Sequence, residues 1–279
     1  MKLTVLVDNN TLIDRYFYGE PGASYFIEDE GKKILFDVGY SDVFIKNAQK
    51  LNIDLLNLDF VVLSHGHLDH TWGLDPLIRL YTEAIIENLN HKNPIIIAHP
   101  LTFYSKKNNG LNEIGSIISE VKLSKHFNIK LSKEPVWLTK KLVFLGEIER
   151  KNDFEAKIPI GKIVINNSEN DDYLLDDSAL VYKSSTGLII ITSCSHSGIC
   201  NIIEYAKKIC EENRITDIIG GFHLLEPSKE QLQGTLEYMK KLKPYEVHAC
   251  HCTDLNSKIA LSKVINLIEV GVGLKLEYK

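Results

Sequence analysis

A chain of 279 residues with 44% hydrophobic and 25% charged content can bury a large core, which excludes extended disorder. A net charge of −5 argues against broad nucleic-acid binding, and five cysteines, an odd number, suit reduced thiols in a reducing compartment better than a disulfide scaffold. The opening run Met1 to Val7 is broken by Asp8-Asn9-Asn10 before a signal-peptide core is complete, and no apolar run reaches transmembrane length, so a cytoplasmic protein with no membrane contact is expected.

Apolar runs and their breaks predict strands at 3–7, 24–28, 33–36, 60–63 and 95–98 in the first half, with helical stretches near 41–51 and 71–88. The polar, weakly periodic segment 101–135 reads as an insertion that covers a site, with Phe103, Tyr104 and Phe127 facing either a pocket or the insertion's own interior. The second half predicts strands near 141–145, 179–183, 188–192, 217–219 and 246–249, and helices near 198–212, 229–242 and 257–271. No linker composition, low-complexity run or solenoid-length repeat interrupts the chain, so 1–279 reads as a single domain. Strands outnumber helices in an α/β order that permits a two-sheet core with helices outside. The pairs Lys106-Lys107, Lys140-Lys141 and Lys240-Lys241 read as solvated faces.

His65-Gly66-His67-Leu68-Asp69-His70, directly behind the apolar run Phe60 to Leu63, puts four metal-ligand side chains into six positions. Residues alternate sides along a strand, so His65, His67 and Asp69 can project together as the strand end opens, and His70 follows where the backbone turns. A metal site needs further ligands from elsewhere in the chain. The strand at 188–192 delivers Ser193-Cys194-Ser195-His196 at a strand-to-helix mouth, and the next two strands end in Phe222-His223 and in His248-Ala249-Cys250-His251-Cys252. Strict alternation puts Val247, Ala249 and His251 on one face and His248, Cys250 and Cys252 on the other, which favours His251 for the site. A rival zinc site on His248, Cys250 and Cys252 closes a tetrahedron poorly from one strand face. Asp37 ends an early strand at a glycine turn, where a turn-capping role also suffices. Asp176 and Asp177 are placed to touch a metal, to orient a ligand histidine, or to be solvated.

With these residues in hand the chain resembles the metallo-β-lactamase superfamily, in order through Ile34-Leu35-Phe36-Asp37-Val38-Gly39, then Ser64-His65-Gly66-His67-Leu68-Asp69-His70 and the later histidine-bearing strand ends. More narrowly it is similar to the branch of dihydropterin-ribofuranosylaminobenzene 5′-phosphate synthases of methanopterin biosynthesis, which also contains many metal-dependent hydrolases. That likeness rests on Leu3 to Asn9, Gly146-Glu147-Ile148, Asp176-Asp177, Ser193 to Ile199, Gly220-Gly221-Phe222-His223-Leu224 and His251-Cys252-Thr253. Many superfamily members carry a metal-bridging aspartate where this chain has Cys194-Ser195-His196, and the last metal histidine falls on either His223 or His251.

The resemblance implies the superfamily's αβ/βα sandwich, with two mixed sheets and helices outside, and two divalent ions, zinc first with manganese or iron as alternatives. His65, His67 and His196 would hold one ion, with Asp69, His70 and His251 or His223 at the other; Asp69 could also carry the transferred proton. Asp177 and Ser195 are expected to contact substrate. The implied reaction joins a dihydropterin diphosphate to ribofuranosylaminobenzene phosphate with loss of pyrophosphate. A hydrolase of a phosphoester, lactone or thioester and a non-catalytic, metal-dependent ligand sensor are the competing readings. The expected partner is a small, phosphorylated substrate, with Lys2, Arg15, Lys32 and Arg150 as available cations, and with homo-oligomers left open.

Overall fold

Strands rich in Ile, Val, Leu and Phe alternate with amphipathic helices along the chain, and each apolar face finds a partner layer. The computed structural model describes residues 1–108 and 110–279. In chain order the elements are β1 (Lys2–Val7), β2 (Ser24–Asp29), β3 (Lys32–Phe36), α1 (Val43–Lys50), β4 (Phe60–Val62), α2 (Leu68–Thr71), α3 (Leu74–Ile86) and β5 (Ile95–Ala98). Then come β6 (Lys106–Lys107), α4 (Glu120–Leu123), β7 (Asn128–Leu131), β8 (Val136–Trp137), β9 (Leu142–Phe144), β10 (Lys162–Ile165), β11 (Ser168–Asp171), β12 (Leu180–Lys183) and β13 (Leu188–Ile191). The chain closes with α5 (Ile199–Cys210), β14 (Ile215–Gly221), α6 (Lys229–Leu242), β15 (Glu246–Cys250), α7 (Leu255–Leu261) and β16 (Lys275–Glu277).

Two mixed sheets stack face to face. The first has the order β16-β1-β2-β3-β4-β5-β7 and the second β15-β14-β13-β12-β9-β8. Between them lie Val5, Tyr25, Ile27, Ile34 and Phe36 from one side and Phe144, Leu180, Ile189, Ile191 and Ile219 from the other. The opposite residues of each strand face helices. Leu35, Val61 and Ile96 pack with Phe44 of α1 and with Leu77 and Tyr81 of α3, while Val181, Ile190, Ile218 and Val247 pack with α5 and α6. Strands buried on both faces explain the unbroken apolar runs at 188–191 and 95–98. Each such side chain contributes about 1.5–3 kcal/mol on burial, so the four layers hold the strand ends rigidly. This mixed α/β arrangement is the expected αβ/βα sandwich.

Departures are local. The helix expected over 257–271 stops at Leu261, because Asn266 and Ile268 turn back to exchange backbone hydrogen bonds with Val247 on the open side of β15. The hairpin β10–β11 turns through Asn166 and Asn167, both at positive φ, as a two-residue loop requires. Within 101–135, β6 pairs with β10 and β7 extends the first sheet beyond β5. Phe127 packs in the core against Tyr81, Phe103 is half-buried beside that core, and Tyr104 lies at the surface.

Candidate metal centre

The parallel strands of both sheets end on one side of the sandwich, and several leave through a residue in the left-handed region. Asp37 follows β3 (φ 57°), His223 follows β14 (φ 49°), and His251 follows β15 (φ 48°); Ser195, at φ 58°, sits in the loop after β13. A non-glycine residue there costs on the order of 1–3 kcal/mol, strain that a rigid sandwich can support. Gly66 is required for a different reason: a Cβ there would sit 2.2 Å from the Thr102 carbonyl oxygen.

Outer hydrogen bonds fix which nitrogen of His65, His70 and His251 faces inward. Ser64 Oγ donates to Asp37 Oδ2 at 2.6 Å and accepts from His65 Nδ1 at 2.8 Å. His70 Nδ1 donates to Asp37 Oδ2 at 2.9 Å, and His251 Nδ1 donates to Asn9 Oδ1 at 3.0 Å. Carboxylate and amide oxygens only accept, and Ser64 has already given its one proton to Asp37, so each of these Nδ1 atoms carries a proton and Nε2 is the nitrogen that faces the centre. Asp37 is thus more than a turn cap: it also takes Ser193 Oγ and the Ser64 amide.

The inward atoms converge. The rings of His65, His67 and His196 lie 4.7–4.8 Å apart, centroid to centroid. Asp69 Oδ2 stands 3.3 Å from His70 Nε2 and 3.4 Å from His251 Nε2. Cys194 Sγ stands 3.3 Å and 3.1 Å from the same two nitrogens. His65 Nε2 and both nitrogens of His196 are buried with no hydrogen-bond partner. An unpaired buried polar atom costs about 1–3 kcal/mol, whereas a cation would satisfy several of these at once. The donor chemistry therefore fits a divalent ion.

Burial, reinforced by neighbouring histidines, holds His65 and His196 well below the usual imidazole range. Burial and the Lys106 ammonium take His67 down to about 3, so it is neutral and ready to ligate. Burial also opposes charge on His70, but Asp69 and Asp37 outweigh it and push that group up to about 10. Burial raises Asp69 less than His70 and His251 lower it, so it stays ionised.

The remaining expected residues are placed differently. His223 lies beside His196, ring centroids 4.3 Å apart, at the rim rather than in either converging donor set. His248 points between the sheets, where Nδ1 donates to Asp217 Oδ1 at 2.9 Å. Asp177 and Ser195, expected to touch substrate, face the protein interior: Asp177 Oδ2 accepts from the Ser197 amide at 2.8 Å, and Ser195 Oγ donates to the Gly221 carbonyl at 2.7 Å. They shape the loop that carries His196. Asp176 accepts from the Gly66 amide at 2.8 Å and from Lys106 Nζ at 3.0 Å. Lys106, read from sequence as solvated, is instead fully buried between Asp176 and Asp172. Its signal was hidden because the carboxylates that receive it lie some seventy residues away.

The cluster floors a mouth of about 480 Å³ rimmed by Pro21, Leu68, Leu111, Ile114, Ile160 and Leu225. Among the described residues, no Lys or Arg lines it. Arg150 instead donates to the Leu174 carbonyl, Lys32 pairs with Asp59, Arg15 is exposed, and Lys2 lies at a separate recess.

Residues 18–251 match the family described as the metallo-beta-lactamase superfamily. The chain belongs to the metallo-β-lactamase superfamily. A solved superfamily structure, Tm1679, described as a metal-dependent hydrolase, superimposes with a TM-score of 0.83 at 29% identity, covering 100% of this chain and 99% of that one. An uncharacterized protein of Methanocaldococcus jannaschii is 33% identical over 97% of this chain and 98% of its own length. From the same organism, 7,8-dihydropterin-6-methyl-4-(beta-D-ribofuranosyl)-aminobenzene-5′-phosphate synthase is 31% identical over 92% of this chain and 89% of its own. The resemblance read from the sequence holds for the superfamily, and the narrower branch is represented by that synthase. Superfamily membership implies divalent metal binding, for which the His/Asp cluster is the candidate donor set. Among the described residues, no helix is long and apolar enough to cross a membrane.

Proposed function

We propose that the chain is a metal-dependent hydrolase of a small-molecule ester or thioester whose remaining part is apolar and uncharged. The observation that carries this reading is the pairing of the converging donors with a mouth rimmed by Leu and Ile and, among the described residues, lacking Lys and Arg. A phosphate beyond the reach of the bound ions would find no cationic side chain among the described residues of the mouth.

His65, His67 and His196 would hold one ion and Asp69, His70 and His251 a second. Bound divalent ions supply Lewis acidity toward a carbonyl or phosphoryl oxygen and toward water. Asp37 and Asn9 hold the ligand rings in register through their outer nitrogens, so little reorganisation is needed during turnover. Asp69, ionised and partly open to the mouth, is placed to accept a proton at its carboxylate and return it to the leaving group. His223 at the rim contacts the substrate beside the reacting centre. Leu68, Ile114 and Ile160 exclude water from the apolar portion.

The second reading is the pterin-joining synthase reaction, favoured by the relative of that name at 31% identity over 92% of the chain. There the ions would take the diphosphate and the apolar rim the flat rings, while the ribosyl phosphate would need a cation from outside the mouth. Assay of the zinc-loaded protein against lactones, thioesters, phosphoesters, and pterin diphosphate with its aminobenzene acceptor separates the two. Turnover of the apolar esters is expected; joined pterin product without ester hydrolysis would reverse the assignment.

A further inference from the structure

Cys194, in the loop after β13, is almost wholly buried. Its sulfur belongs to two sets of converging donors at once. One set is Asp69, His70, Cys194 and His251; the other is His65, Cys194 and His196; within each, all donor atoms lie inside 4.8 Å of one another. Among the described residues no other side chain is common to both. The sulfur faces His70 Nε2 and His251 Nε2 at 3.3 Å and 3.1 Å, and it also lies within 4.8 Å of a ring nitrogen of His65 and of His196; His65 Nε2 and both His196 nitrogens are buried without a partner. One S–H can serve only one acceptor, so a thiol cannot satisfy the unpartnered nitrogens of His65 and His196 together.

We propose that Cys194 is a metal ligand whose thiolate sulfur bridges two divalent ions, one held by His65, His67 and His196 and the other by Asp69, His70 and His251. The inference rests on the reading that this cluster binds metal. Ligation releases the thiol proton to solvent and forms two metal–sulfur bonds with no change of oxidation state. The neighbouring Cys252 is not equivalent: its Sγ donates to the Cys194 carbonyl oxygen at 3.3 Å and enters neither donor set. A shared thiolate selects zinc over manganese, since soft sulfur binds manganese weakly.

Zinc-edge X-ray absorption on the full chain loaded with two equivalents of zinc tests this. A bridge gives sulfur at roughly 2.3 Å with about one sulfur per zinc. About half a sulfur per zinc would make Cys194 a ligand of one ion and overturn the bridge; no sulfur would overturn ligation altogether. In cobalt-loaded protein the near-ultraviolet sulfur-to-metal band should vanish in Cys194→Ser and persist in Cys252→Ser. The reverse pattern would assign the wrong cysteine. Should Cys194→Ser fail to fold, the wild-type zinc spectrum still decides. Failure to bind zinc or cobalt at all would remove both the metal reading and this one, whereas two bound ions without sulfur would remove only this one.

Discussion

Lys106 Nζ lies 3.0 Å from Asp176 Oδ1, both side chains shut off from solvent, and Asp176 Oδ2 takes the Gly66 amide at the centre of the histidine motif. The pair ties the 101–135 segment to the ligand loop. Lys106→Met should leave Asp172 and Asp176 as uncompensated buried carboxylates and cost about 3–5 kcal/mol in urea denaturation. By loosening the Gly66 turn it should also weaken zinc binding about 10- to 100-fold in a chelator competition. A variant as stable and as tight as wild type would show the strap to be idle.

His67→Ala should abolish metal-dependent activity and reduce metal content while leaving the fold intact. His67 stands at the mouth with no hydrogen-bond partner among the side chains of the core, so its removal loosens little packing. Elemental analysis beside circular dichroism checks this; a folded variant with full metal content would reject the ligand assignment.

The three late histidines should differ under alanine substitution. Zinc content should fall severely for His251→Ala, whereas His223→Ala, at the rim, should lower turnover with only a small loss of zinc, and His248→Ala should lose little zinc. The last should instead lose about 1–3 kcal/mol of stability, because Asp217 Oδ1 would lose its buried imidazole donor while Tyr278 still donates to Oδ2. Greatest metal loss at His248→Ala would put the site on the wrong face of β15.

Burial raises Asp177 from 3.8 to about 6. A carboxyl raised on folding binds its proton more tightly in the native state, so its contribution to stability is full below the unfolded value and is lost as pH rises through 6. That rise corresponds to about 3 kcal/mol at most. Metal-free wild type should therefore lose up to about 3 kcal/mol relative to Asp177→Asn between pH 4 and pH 7. Parallel pH profiles for the two proteins would contradict this.

Much of the fold was legible because strands such as 95–98 and 188–191, covered on both faces, write themselves as unbroken apolar runs. The short strands β6 and β11 were not, since Lys106-Lys107 and Ser168 to Asp171 are polar and carry no such pattern, and between them β10 offers only the three apolar residues Ile163 to Ile165. In the candidate site, His65 to His70 was legible because one loop holds all four donors. His251 was singled out by alternation, but the geometry works otherwise: Val247 and Ala249 face the helices, and the positive φ of His251 swings it off the strand and back over the cluster. Asp37 looked like a turn residue locally, and only the folded chain brings Ser64, His70 and Ser193 to it. Asp177 and Ser195 carry polar groups at loop positions, yet their hydrogen bonds turn inward to Ser197 and Gly221.

The central claim is that the histidine cluster binds divalent ions on which turnover depends. The direct test is a zinc titration of chelator-stripped protein, following thioester hydrolysis and bound zinc together. Activity should be absent in the stripped protein and should rise with zinc to a plateau at about two equivalents. Full turnover without metal, or no zinc taken up by the folded protein, would contradict the account.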